Sequence, residues 1–253
     1  MKMKANLKQV IGLVSFMSFF TGLPVDAAES RTVRSDSKPF RVRAPFIKNE
    51  GQIDESVRFY VQIGRGKVAV LNNGSIFYSI VKRDSGKRYC GAFFEEYFVA
   101  GKRTSVRGLE RAHPRTAKLG GGMKWLHSRA VPSFNSLDLG EIYPNIRVTL
   151  RSYENNVGKL FHIAPGGDVN ASRMGVRGIQ EIRLNRCGEL ELVSKHGRMS
   201  LAKPIAYQMK DRLREAVSVS YRIDGASYRF NVGPYDRNRE LVIASLIAST
   251  HVD

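Results

Sequence analysis

An all-β, antiparallel fold is what this sequence predicts, with sandwich-like packed sheets and little helix apart from the signal peptide. Three observations carry that reading. Apolar and polar residues alternate over short runs, as in Ile146, Val148 and Leu150 against Arg147, Thr149 and Arg151, the period of a strand with one face buried. Clusters of Gly, Pro, Asn and Asp separate these runs at short, regular spacing, the punctuation of hairpins and sheets. No helical period of useful length appears in the mature chain, Lys210 to Ala216 being the best short candidate.

Residues 1–27 read as a signal peptide. Lys2, Lys4 and Lys8 precede an apolar core from Val10 to Phe20, and Val25-Asp26-Ala27 offers a small-residue cleavage site after Ala27. The apolar run falls short of the ~20 residues a membrane span needs, so export is expected in preference to an uncleaved anchor, with no transmembrane span in the mature chain. The address is the periplasm, the cell surface or the medium. Residues 28–44 are polar and basic, a flexible leader that also reads as a polyanion-binding arm. The β-rich domain then occupies 45–253, undivided or as two sheet subdomains split near 101–130.

Within it, Val57 to Ile63 is the first long strand, and Lys67 to Leu71 returns after Gly64-Arg65-Gly66. Asn72-Asn73-Gly74 suits a type I′ hairpin turn into a third strand, Ser75 to Val81. Tyr89 to Val99 follows, dense in aromatics; core packing is the expected use of these rings, a sugar-stacking platform the alternative. From Gly101 to Leu126 basic residues dominate, and Gly120-Gly121-Gly122 lacks the spacing of a phosphate loop. Trp125, the sole tryptophan, reads as a core anchor.

The central stretch, Glu141 to Asp168, reads as a hairpin with a Tyr153-Glu154-Asn155-Asn156 loop, closed by Ala164-Pro165-Gly166-Gly167. Strands are expected again at Ile179 to Leu184, Leu190 to Ser194, Ile205 to Met209, Val217 to Ile223, Tyr228 to Val232 and Leu241 to Ile247. No internal repeat is visible, which disfavours a propeller within these residues.

Charge bounds the partners. Removing three Lys and one Asp with the leader peptide turns 41 basic and 23 acidic residues into 38 and 22, a formal +16 in place of +18. That attracts polyanions such as acidic polysaccharide or a membrane surface. The bland alternative is charge scattered on wet strand faces, and Arg147, Arg151, Arg177, Arg183 and Arg222 sit in or beside alternating patterns that favour scatter. Nucleic acid is the weakest partner, since the address lies outside the cytoplasm. Cys90 and Cys187 are the two cysteines, and an oxidising compartment permits a disulfide between them; nothing in the sequence shows that they approach.

Chemistry has little support. His113, His127, His162, His196 and His251 fall singly, with no paired His and no C-x-x-C to hold zinc. His162 reads as a satisfied sheet histidine. No G-x-S-x-G elbow marks a serine nucleophile. Glu95 and Glu96 offer one carboxylate for a hydrolase pair, but strand neighbours point to opposite faces. Asn49, Glu50, Gly51 and Gln52 are the most site-like polar cluster, and fixing a turn is their expected use. No catalytic, cofactor-binding or metal-binding residue is assigned, and no cofactor is expected.

The order of several motifs resembles a known module. Phe46-Ile47-Lys48-Asn49-Glu50-Gly51-Gln52 leads into Val57-Arg58-Phe59-Tyr60. Trp125, Val131-Pro132-Ser133-Phe134, Ile142-Tyr143-Pro144-Asn145-Ile146 and Phe161 with Ala164-Pro165-Gly166 follow. Gly188-Glu189-Leu190, Pro204-Ile205-Ala206-Tyr207-Gln208, Val232-Gly233-Pro234-Tyr235-Asp236 and Leu241-Val242-Ile243 complete the series. In this order they resemble the N-terminal domain of unknown function of bacterial SBBP-repeat (β-propeller repeat) cell-surface proteins. Asn145 stands where that pattern has glycine, and Ala244-Ser245 where it has Asp-Pro. The resemblance implies a secreted or surface location and a β-rich module, free-standing or cut from a propeller protein. It implies no catalytic activity and no site residues. The expectation is therefore an exported, non-enzymatic module with a structural or interaction role, its partners other domains or surface proteins; polyanion or carbohydrate binding, or activity on carbohydrate, is the alternative.

Overall fold

A computed structural model describes residues 44–64, 66–83, 89–112, 131–153 and 156–252. The strands run in the order β1 (Phe46–Lys48), β2 (Val57–Ile63), β3 (Gly66–Leu71), β4 (Ile76–Arg83), β5 (Tyr89–Phe98), β6 (Arg107–Arg111), β7 (Ser133–Tyr143), β8 (Ile146–Tyr153) and β9 (Asn156–Ile163). There follow β10 (Met174–Arg177), β11 (Glu181–Leu184), β12 (Leu190–Ser194), β13 (Gly197–Leu201), β14 (Ile205–Lys210), β15 (Leu213–Val217), β16 (Val219–Asp224), β17 (Ser227–Val232) and β18 (Leu241–Val252). The all-β, antiparallel class holds. Its facing layers are walls of one sheet, because every pairing joins a single 18-stranded antiparallel network.

From one end the sheet runs β16, β17, β10, β5, β4, β3, β2, β1, β7, β8, β9 and β18. The twelve-residue β18 then divides its free side. Leu241–Ala244 carries β14 and β15, and Ile247–Val252 carries β13, β12 and β11. Pro204 lies between β13 and β14, where a residue with no N–H ends one ladder before the next begins. The sheet curls until β16 returns against β14 and β11, which makes it nearly closed and barrel-like.

Inward residues of nearly all these strands, β6 excepted, form the main core, including Phe46, Val61, Phe94, Leu137, Ile146, Phe161, Leu192 and Phe230. Phe161 meets Phe230 edge-to-face at 5.0 Å between ring centroids, and Phe98 meets Phe161 at 6.4 Å, the arrangement the ring quadrupoles favour. A smaller cluster of Val57, Tyr60, Ala69 and Phe77 packs with Ile47, Ile53 and Phe93.

Three expectations need correction. Lys210 to Ala216 is no helix: it is the end of β14, a turn and β15, with Leu213 74% exposed. Seven residues are too few for a stable isolated helix, and pairing with β14 gives the backbone partners that helix would have lacked. The expected strand Val217 to Ile223 is two strands, broken at Ser218. In Asn72-Asn73-Gly74 the left-handed residue is Gly74, at φ 85°, and neither asparagine has positive φ. The loop is therefore a three-residue turn ending in a left-handed glycine, not type I′.

The strand β7 was not among those expected, having no clean alternation in the sequence. A bulge at Gly140 (φ 83°) shifts the register between Asp138 and Gly140, so the buried set reads Leu137, Leu139, Ile142. An inserted residue breaks the period that reveals a strand. The leader peptide, basic leader, Trp125 and Gly120-Gly121-Gly122 lie outside the described residues. So do His113, His127 and the Glu154-Asn155 part of the β8–β9 loop. Among the described residues, no helix is long and apolar enough to cross a membrane.

Candidate functional site

Two places hold polar groups of interest: a buried centre spanning the interior, and an open groove on the surface. The centre begins with the alternation of β5, in which Phe94 and Glu96 face inward while Glu95 faces the other way. Glu95 pairs outside with Arg177 at 3.1 Å. Glu96 is fully buried, and so are the side chains that converge on it: Tyr78 from β4, Tyr228 from β17 and Lys159 from β9. Tyr78 is cross-strand neighbour to Phe94, one diagonal step from Glu96. Lys159 comes from the facing wall, where its lateral neighbours are Leu150 and Ser245.

The contacts are complete. The Tyr78 hydroxyl donates to Glu96 Oε2 at 2.5 Å and the Tyr228 hydroxyl to Oε1 at 2.5 Å. Lys159 Nζ donates to Glu96 Oε2 and, at 2.9 Å, to the Tyr228 hydroxyl. Tyr221 extends the group, donating to the Ala202 carbonyl at 2.9 Å and lying 2.8 Å from Ser245 Oγ. Burial pushes the Lys159 ammonium below its ordinary range, against the opposing pull of Glu96. Burial first, then the Glu96 charge, pushes the Tyr78 and Tyr228 hydroxyls well above theirs. Such a group resembles general acid–base machinery in composition, but its members lie buried within the main core, and none of them lines the groove.

The groove, of about 170 Å³, is lined by the Asn73-Gly74-Ser75 turn, Tyr97, Lys102, Arg103, Ile142 and Arg177. Lys102 and Arg103 are exposed. Tyr97 lies over Gly175, where a Cβ would meet its ring at 2.3 Å, and Arg177 covers it at 4.2 Å. The ring is thus already capped by a guanidinium. Elsewhere on β5, Phe94 is buried and Phe93 stacks on Phe77 at 6.0 Å, so the aromatic tract serves packing.

The polar residues that the sequence marks out fix backbone. Asn49 Oδ1 accepts from the N–H groups of Gly51, Gln52 and Ile53, and its Nδ2 donates to the carbonyls of Ile53, Asp54 and Val57. Gln208 does the same at a distance, donating to the Asp236 carbonyl at 2.8 Å and accepting from the Asp236 N–H at 2.9 Å. Two motifs far apart in sequence are thereby clamped together. Tyr143 donates to the Val99 and Arg173 carbonyls, and burial pushes its hydroxyl up to about 12. Asn145 sits at φ 62°, the left-handed backbone expected of a residue standing in for glycine.

His162 is a satisfied sheet histidine, with Thr149 Oγ1 at 3.1 Å and Glu240 at 3.2 Å. Cys187 is exposed in the turn of the β11–β12 hairpin, and the Cys90 side chain lies outside those described. Among the described residues, no three His, Cys, Asp or Glu side chains gather as a metal ion would require.

A family model described as a domain of unknown function, DUF7948, matches residues 46–244. The chain belongs to this family. The match opens at Phe46, the first residue of β1, and closes within β18, so it covers the whole curled sheet except the end of β18. No curated protein matches the chain, and no solved structure does.

What the sequence did not reveal is Lys159 as the partner of Glu96. Its face was legible, since Lys159 shares the parity of Val157, Phe161 and Ile163, the buried side of β9; its partner on the distant β5 was not.

Proposed function

We propose that this DUF7948 chain is an exported, non-catalytic β module with a structural or interaction role, in the setting of a bacterial surface protein associated with SBBP-type propeller repeats. One observation carries the reading: its motif polar residues, Asn49, Tyr143 and Gln208, spend their hydrogen bonds holding backbone segments together. The carboxylate best placed for chemistry, Glu96, is saturated inside the core. Side chains committed in this way build a scaffold for surfaces to be presented.

Polyanion binding is the second reading, favoured by the groove that gathers Lys102, Arg103 and Arg177. Some of the other charge is paired, on strand faces as in Arg147–Asp138 and Arg183–Glu191 and in the β17–β18 loop as in Arg239–Asp236, and Arg177 itself is shared with Glu95.

One experiment addresses both readings. The full chain is expressed in a bacterial host, fractionated, and the exported product sequenced from its N-terminus and run over an acidic-polysaccharide resin. A product beginning at Ala28, eluting below about 0.15 M salt where non-specific attraction is screened, supports the scaffold. Retention above that salt, lost in a Lys102→Glu/Arg103→Glu variant, selects the groove instead. A chain kept in the cytoplasm with residues 1–27 attached removes the exported role.

A further inference from the structure

The buried centre does more than satisfy itself: we propose that Lys159 and Glu96 condense to an intramolecular amide, a covalent strut between β9 and β5 across the barrel interior. Nζ and the carboxyl are already in contact, with no solvent between them. In water such a condensation is opposed because the ammonium and carboxylate are well solvated. Here burial has removed that hydration, and an ion pair held in a dry interior is costly. Converting two buried charges into one neutral amide relieves the cost. Fixing the two groups on facing strands supplies the proximity that makes a slow bimolecular reaction fast.

The surrounding hydroxyls suit the step. Tyr78 donates to Oε2 and Tyr228 to Oε1, so both carboxyl oxygens carry a donor able to stabilise charge as the carbonyl becomes tetrahedral. Tyr228 also accepts from Nζ at 2.9 Å, which links the amine to Oε1 through one hydroxyl. Burial lowers the proton affinity of Lys159, favouring the free amine that attacks. The Nζ–Cδ bond forms and the Cδ–Oε1 bond breaks. Two of the three ammonium protons leave with Oε1 as water, through Tyr228, and the third remains as the amide N–H. Oε2 becomes the amide oxygen under Tyr78. No electrons are gained or lost and no co-reactant is needed.

Mass spectrometry of the purified exported chain, fully reduced so that any disulfide is open, tests this directly. The expected chain is lighter than its sequence by one water. Trypsin then fails to cut after Lys159 and releases a branched peptide joining residues 89–102 to 152–173. Lys159→Arg keeps the charge and is expected at full mass; Glu96→Gln is expected to lose one ammonia in place of water. A folded wild-type chain at full mass, cleaved after Lys159, overturns the proposal, as does a water loss that maps to other residues. The decisive measurement is on the wild-type protein and does not depend on the variants folding.

Discussion

At Asn49 a single amide does the work of a small ladder, making three acceptor and three donor contacts to the loop that follows and to the start of β2. Removing it strands several part-buried backbone groups, each costly to leave unpaired. Asn49→Ala is therefore expected to destabilise the fold by about 2 kcal/mol, seen as a lower urea midpoint with an unchanged slope. An unchanged midpoint means the loop is held by something else. This residue was legible in the sequence, because Asn before Glu-Gly-Gln announces turn chemistry. Glu96 was half legible: alternation separates it from Glu95, but nothing local says which of the two faces the core.

Hairpins were the most readable elements and also the place where turn detail escaped. β14 and β15 join through Asp211 and Arg212 at φ 48° and 67°, two left-handed residues of which neither is glycine. Left-handed backbone costs an L-residue about 1–2 kcal/mol, and no cross-strand contact of Arg212 offsets it among the described hydrogen bonds. Arg212→Gly is expected to raise stability by about 0.5–1 kcal/mol, the left-handed penalty less the added unfolded-state entropy of glycine. Thermal denaturation of the two proteins side by side measures it; a lower Tm for the glycine variant contradicts the turn geometry. Lys210 to Ala216 misled as a helix candidate because Leu, Arg, Glu and Ala are good helix formers. Propensity gave way to the unpaired side of β14, which only the assembled sheet supplies.

Over the whole molecule, buried tyrosines couple the fold to alkaline pH. Tyr78, Tyr221 and Tyr228 are all held above the ordinary value of 10.0 by burial first, and Tyr143 reaches about 12. Raised folded values mean that their stability contribution is complete below about pH 10. It is lost as pH climbs through that point towards the folded values. In a chain whose Lys159 keeps its free amine, the downward shift acts in the opposite sense: its contribution grows with pH until 10.5, its ordinary value, and then stops. Beyond that the tyrosines decide. The urea midpoint at about pH 11 should lie below that at about pH 9, with phenolate absorbance rising as the protein unfolds; equal midpoints contradict the burial of these hydroxyls. By itself the sequence determined the all-β class, most strand positions, the turn-fixing role of Asn49, and the family order of motifs, because alternation and turn chemistry are written within a few neighbouring residues. Tertiary structure alone decided that one sheet curls on itself, that Gly140 hides a bulge, and that Glu96 meets Lys159, 63 residues away, and Tyr228, 132 residues away. Tyr228 lies two strands along the same stretch of sheet and Lys159 on the facing wall, and no local period records which strands come to adjoin or face one another.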